Sequence, residues 1–198
     1  MAAVVATVAL VLAFPIAYYH TRKRNMMSGA LMHFSNVGFV LPGPVVAIGT
    51  SVMVLMFFGQ MVTALFLLAW VIAVVIRYLP LATQSQESAL QQLTPSTEQA
   101  GRILGTSPLQ NMKRVVIPII KPGVISAWVL VFIDALKELP AALVLGLGYE
   151  TLPVVIFHQA NEEMMEAAAP AALMLLIASL PALWLLMRGN RNQLASSL

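Results

Sequence analysis

The chain has 198 residues, 60% hydrophobic and only 10% charged, with a mean hydropathy of +0.86. A soluble domain carries about 25% charged residues, so this composition excludes a water-facing globular surface, and the lack of cysteine excludes disulfides, thiolate catalysis and Cys-based metal sites. The pI near 9.5 comes from cations scattered at helix ends, which fit the loop charges of a protein in membrane lipid and not a nucleic-acid patch.

The first apolar run, Ala2 to Tyr19, is interrupted only by Pro15 and is followed at once by Arg22, Lys23 and Arg24. A signal peptide carries its cations before its apolar core, so this run predicts a membrane helix. A mixed stretch with Gly and Pro punctuation leads to a second run, Pro44 to Phe58. A span needs about 20 residues, so this one is expected to begin near Gly38. Only Gly59 and Gln60 separate it from a third run, Met61 to Leu79, which predicts a tight helical hairpin. After Pro80 the chain is polar from 81 to 121. A fourth run continues from Pro122 to about Leu147, and a fifth covers Ala167 to Met187. The expectation is an all-α, polytopic membrane helix bundle in one domain, with spans at about 2–19, 38–58, 61–79, 122–147 and 167–187.

Charge sets an orientation. With Arg22 to Arg24 in the cytoplasm and sides alternating, Arg77, Arg102, Lys113, Arg114, Lys121, Arg188 and Arg191 share that side. Glu150, Glu162, Glu163 and Glu166 fall on the other. The positive-inside rule then predicts an amino terminus outside and a carboxyl terminus in the cytoplasm.

The polar 81–121 segment contains two helix starts. Thr94-Pro95-Ser96-Thr97-Glu98 offers capping hydroxyls, a proline near the first turn and an early acid, predicting a helix from about Ser96 to Leu104 with Ala100, Ile103 and Leu104 on one side. Gly105 suits a left-handed helix end. Thr106-Ser107-Pro108 starts a second helix, Leu109 to Val116, carrying Lys113 and Arg114, which Pro118 and Pro122 are expected to break. Such a knob reads as a docking element, although composition alone favours an ordinary solvated loop.

The order of residues here resembles a known family. GTSPLQNMKRVVIPIIKPG, 105–123, and the residues before it are similar to the EAA loop of binding-protein-dependent ABC importer permeases: Glu-Ala-Ala, three residues, Gly, nine residues, then Ile-x-Leu-Pro. Aligned on Gly105, the triplet falls on Gln99, Ala100 and Gly101, and the close falls on Val115 to Pro118. The spacing is intact, but Gln99 stands at the acid position with Glu98 one place earlier, and Gly101 replaces an alanine. The resemblance extends through LKELPA, 136–141, and ETLPV, 150–154, to Ala167–Pro170, and is nearest to the ferric iron and thiamine types. It implies the type I (MetI-like) permease fold in a bacterial inner membrane, with a coupling loop that docks a cytoplasmic ABC ATPase dimer. A periplasmic substrate-binding protein and a second permease half, fused or separate, are the further partners implied. No GxxxxGK[ST] phosphate loop occurs, so ATP hydrolysis is expected in a separate subunit and no cofactor in this one. The chain resembles the carboxyl-terminal half of the fused iron-type permeases. Met1 leads straight into an apolar helix where the family has more residues before Pro15, so a longer reading frame, or a partner supplying helices, is expected.

Asp134, Lys137 and Glu138 fall within the fourth predicted span at spacings that share a helical face. Intramembrane charges are costly and usually face a protein interior or an aqueous path. They are read either as part of a translocation path or gate, or as a structural ion pair beside a Pro140 kink; direct metal coordination by Asp134 and Glu138 is the weakest reading. His158, Glu162, Glu163 and Glu166 serve either a binding-protein contact or a solvated amphipathic helix. His20 and His33 lack ligand spacing. Met26, Met27, Met53, Met56, Met164 and Met165 read as gap-filling in the bundle. Two other function classes remain. An intramembrane enzyme lacks any HExxH or GxSxG motif, and a non-transporting scaffold gives the intramembrane charges no task.

Overall fold

The structure, a computed structural model, describes residues 1–59, 63–103, 105, 107–145 and 150–195; the side chains at 63, 95, 98, 100, 102 and 188–195 lie outside that description. The described residues form ten α-helices: α1 (Ala2–Arg22), α2 (Met26–Val40), α3 (Gly43–Phe58), α4 (Thr63–Gln91), α5 (Pro95–Ile103), α6 (Pro108–Asn111), α7 (Ile117–Leu136), α8 (Pro140–Leu145), α9 (Leu152–Asn161) and α10 (Met165–Ala195). A π turn, Met112–Val116, joins α6 to α7. Among the described residues, four helical stretches are long and apolar enough to cross a membrane: Ala2–Arg22, Ala64–Gln91, Pro108–Leu136 and Met165–Met187. A fifth exists if α2 and α3, bent by 109°, count as one.

The helix limits differ from the expected ones in several places, mostly near prolines. The second run does not start near Gly38. Asn25 and Ser28 form a capping box that starts α2, and Pro42, which has no N–H, precedes the first turn of α3. The third helix continues through Pro80 to Gln91. Pro80 deprives the Ile76 carbonyl of its helical donor, and α2 packs there: a Cβ on Gly38 would overlap the Ile76 oxygen. In the fourth run Pro118 and Pro122 are both helical. The Ile117 N–H reaches Met112 O, five residues back, and that widened π register accommodates the missing N–H of Pro118. The polar 81–121 segment is therefore mostly helix, with its connector reduced to 92–107. The helix ends at Leu136, not Leu147, with α8 a separate short piece. The Gly59–Gln60 hairpin is described only to Gly59, which is left-handed at φ 69.

The core is a seam of small residues. Ala2, Ala6, Ala9 and Ala13 of α1 meet Ala69, Val74 and Ala82 of α4, with Ala127, Val131 and Ala135 of α7. Small side chains let backbones approach closely where lipid supplies no hydrophobic drive between helices. One polar tie across the seam is buried: Gln86 Nε2 donates to Leu10 O at 3.0 Å. Phe34, Met56, Phe57, Leu176 and Trp184 point outward, as they do on a lipid-facing surface.

Candidate functional site

Arg77 is the middle residue of α4, not a cation at its end. Its Nη1 donates to Glu138 Oε1 at 3.1 Å, and the Tyr78 hydroxyl donates to Glu138 Oε2 at 2.6 Å. The Ala141 N–H, in the first turn of α8, donates to Oε1 at 3.3 Å. Glu138 is 3% exposed, so its charge is satisfied by one cation, one hydroxyl and one backbone donor. A third element closes on the pair. A Cβ on Gly43, the first residue of α3, would overlap Arg77 Nη1 and crowd Pro140. Both interruptions of the membrane helices, at Leu41–Pro42 and at Lys137–Leu139, thus meet at one ion pair.

The shared face expected for Asp134, Lys137 and Glu138 is divided. Lys137 is the residue that ends α7, and its Nζ pairs with Asp134 Oδ1 at 2.7 Å on the surface of the chain, with side chains 60% and 31% exposed. Glu138, past the helix end, turns inward to Arg77 instead.

The connector forms the second site. The Thr94 hydroxyl lies 3.0 Å from those of Ser96 and Thr97 at the start of α5. Ser107 and Gln110 form a capping box on α6, and between the helices Gly105 is left-handed at φ 82. Ile103 and Leu109, on either side of this turn, are 85% and 65% exposed. Gln99, Lys113 and Arg114 are exposed and Gly101 is buried; Pro118 lies in the first turn of α7. The side chains of Glu98 and Ala100, and all of Leu104, lie outside the described residues.

A family described as "Binding-protein-dependent transport system inner membrane component" matches residues 4–189. The chain belongs to this family. It is 29% identical over 168 residues to the Fe(3+)-transport system permease protein FbpB 2 of Haemophilus influenzae, covering 84% of this chain and 33% of that one. Over 71 residues it is 39% identical to the putrescine transport system permease protein PotI of Escherichia coli, 35% of this chain and 25% of that one. The chain therefore spans about a third or less of these relatives. In solved structures it resembles a chain from inward facing conformations of the MetNI methionine ABC transporter, with TM-score 0.69, 17% identity and coverage of 98% and 92%. A chain from an amino acid ABC transporter with histidines gives TM-score 0.62, 21% identity and coverage of 97% and 90%. These likenesses establish the fold: an all-α permease bundle.

Membership of an inner membrane component family agrees with the multi-pass helices. Several candidate residues lie apart from both sites. His158 and Glu162 to Glu166 are exposed around the end of α9, His20 stands 3.8 Å from Glu87, and His33 is exposed. The six methionines read as gap-filling are all exposed, Met26 at 95% and Met56 at 81%, because the seam is already closed by alanine and valine. Arg77, Tyr78 and Gly43 were missed as site residues. The available signal was a cation inside a long apolar stretch together with glycines bracketing Leu41–Pro42.

Proposed function

We propose that the chain is the membrane-spanning part of an ABC importer permease, docking a separate ATPase on its 96–118 segment and passing a small solute to the cytoplasm. The observation that supports this most directly is the connector itself. Two short helices around a left-handed glycine expose Ile103 and Leu109 beside Lys113 and Arg114. That tip offers apolar area for a cleft in a partner and cations for its acids. By the loop charges the connector lies in the cytoplasm, the amino terminus lies outside, and a binding protein docks on the outer side. The chain acts as one half, resembling the carboxyl-terminal half of fused permeases, and pairs with a second half.

Ferric iron is the favoured substrate, supported by the relative that matches 84% of the chain; thiamine, polyamine and sulfate permeases are the alternatives. Within this reading Arg77, Tyr78 and Glu138 form a gate element, with the exposed Asp134–Lys137 pair beside it. The test is reconstitution with a candidate ABC ATPase and binding protein from the same organism, measuring ATP hydrolysis with and without ferric-loaded binding protein and the entry of radiolabelled iron. Stimulation and uptake support the assignment. Stimulation by another loaded solute redirects the substrate, and ATPase binding without any solute-dependent stimulation leaves a scaffold.

A further inference from the structure

A groove of about 350 Å³ lies between α1 and α7 and shares no residue with the Arg77–Glu138 site. Val11 and Phe14 of α1 line one wall, and Ile117, Lys121, Val124 and Ile125 of α7 line the other. The trough exists because both helices are seated on α4 through small residues. A Cβ on Gly123 would overlap that of Ala89, and Ala9 and Ala13 of α1 share the core with Ala82. Gln86 of α4 lies at the base, 1% exposed, with its amide donating to Leu10 O at 3.0 Å. Lys121 is therefore the polar side chain within a guest's reach.

The two walls run antiparallel. The Trp128 Nε1–H donates to Thr7 Oγ1 at 3.1 Å, whereas Ala17 and Val116 share the smaller core cluster. Thr7 and Trp128 lie one turn beyond Val11 and Ile125, so that end of the groove is the deep one. The Phe14 end leads outward: Tyr18 stacks on Phe14 with ring centroids 6.0 Å apart, and Arg22 stands 5.8 Å over the Tyr18 ring. Tyrosine and basic residues at a helix end mark the membrane–water interface. The antiparallel pairing sets Lys121 level with Phe14, about one turn inside that belt, from where an ammonium snorkels to the interface. Lys121 is exposed, and no ion pair among the described residues involves it.

The groove is thus charged near the membrane surface and apolar toward the bilayer interior, which is the polarity of a phospholipid. A helix is roughly 10 Å across, and a single 5.4 Å turn of one exceeds the groove's volume, so the guest is slimmer than a helix. A polar solute would find nothing to bond in the deep part. We propose that the groove binds an anionic phospholipid, with an acyl chain between Val11 and Ile125 and its phosphate on Lys121, and with Arg22 bringing a second cation to that end. In that position the lipid braces α1 against the first turns of α7. The proposal rests on the membrane setting alone and is independent of which solute is carried.

The test is native mass spectrometry of the full chain, released from detergent micelles after incubation with phosphatidylglycerol or with phosphatidylcholine of the same acyl chains. The expected result is one retained phosphatidylglycerol and weaker retention of phosphatidylcholine, which has a phosphate but no net charge. Lys121→Gln should lower phosphatidylglycerol affinity about fivefold, the effect of one cation near an anionic headgroup. Val11→Trp, at a position 66% exposed, should obstruct the chain and lower retention of both lipids. An equal loss in Lys23→Gln, an exposed cation outside the groove, means diffuse surface attraction and overturns the proposal. Equal retention of the two lipids, or displacement by inorganic phosphate alone, overturns it as well. Absence of retained lipid also overturns it, and a doubled mass that Val11→Trp abolishes then gives the groove to a second copy of the chain. Should Val11→Trp fail to fold, the two lysine variants decide the matter.

Discussion

Glu138 and Arg77, 61 residues apart in sequence, meet at 3.1 Å, with the carboxylate side chain 2% exposed and the guanidinium 29% exposed. Removing one member of such a pair leaves an uncompensated charge, at a cost of about 3–5 kcal/mol when buried. Because Arg77 is partly exposed and Glu138 is not, loss of the carboxylate is the milder case and loss of the cation the worse. Glu138→Ala and Arg77→Ala are each expected to lower the thermal unfolding midpoint, and Arg77→Met with Glu138→Leu to recover most of the loss. Additive losses in the double variant would refute a functioning pair.

Tyr78→Phe removes only the hydroxyl that donates to Glu138 Oε2 at 2.6 Å. A hydrogen bond to a charged group contributes about 1.5–3 kcal/mol, so destabilisation of that order is expected with helix content unchanged. The same substitution in a Glu138→Leu background should be nearly silent in denaturant unfolding.

Gly38 and Gly43 both lie against α4 but should respond differently. A Cβ at Gly38 meets the Ile76 backbone oxygen, which cannot move aside, whereas a Cβ at Gly43 meets the end of the Arg77 side chain. Gly43→Ala is expected to cost less in an Arg77→Ala background, a coupling of about 0.5–3 kcal/mol. Gly38→Ala should cost the same in either background. Equal behaviour of the two glycines in this cycle would contradict the geometry.

At the connector, a Cβ on Gly105 would meet nothing within 4 Å among the described residues, and the strain its substitution meets there is that of the φ of 82. A left-handed non-glycine residue costs roughly 1–2 kcal/mol, less for asparagine. If the connector docks an ATPase as proposed, Gly105→Ala should therefore weaken its stimulation more than Gly105→Asn does. Ile103→Ser and Leu109→Ser should weaken stimulation without shifting the unfolding midpoint, since both side chains are already exposed. A fall in stability for either would place them in the core.

The apolar runs were legible because a membrane helix shows itself in composition over about 20 residues, and the connector because Pro95, Gly105 and Ser107 mark starts and stops locally. The prolines misled for a physical reason. At Pro80 the freed carbonyl faces Gly38, and at Pro118 a π turn absorbs the missing donor, and neither arrangement is visible from neighbouring residues. Glu138 stood out in the sequence, but its partner did not. Lys137 was the nearest cation along the chain, and only the end of α7 at Leu136 separates the two charges and releases Glu138 toward Arg77.

The π turn has a mechanical consequence. Because it absorbs Pro118 without breaking the rod, helix continues from Pro108 to Leu136, 29 residues in all, or about 43 Å at 1.5 Å per residue. One end of that rod is the exposed tip at Leu109, and the other stops next to Glu138. A tilt imposed on the tip is carried along continuous helix, and the first place where that helix stops is the break that holds the ion pair.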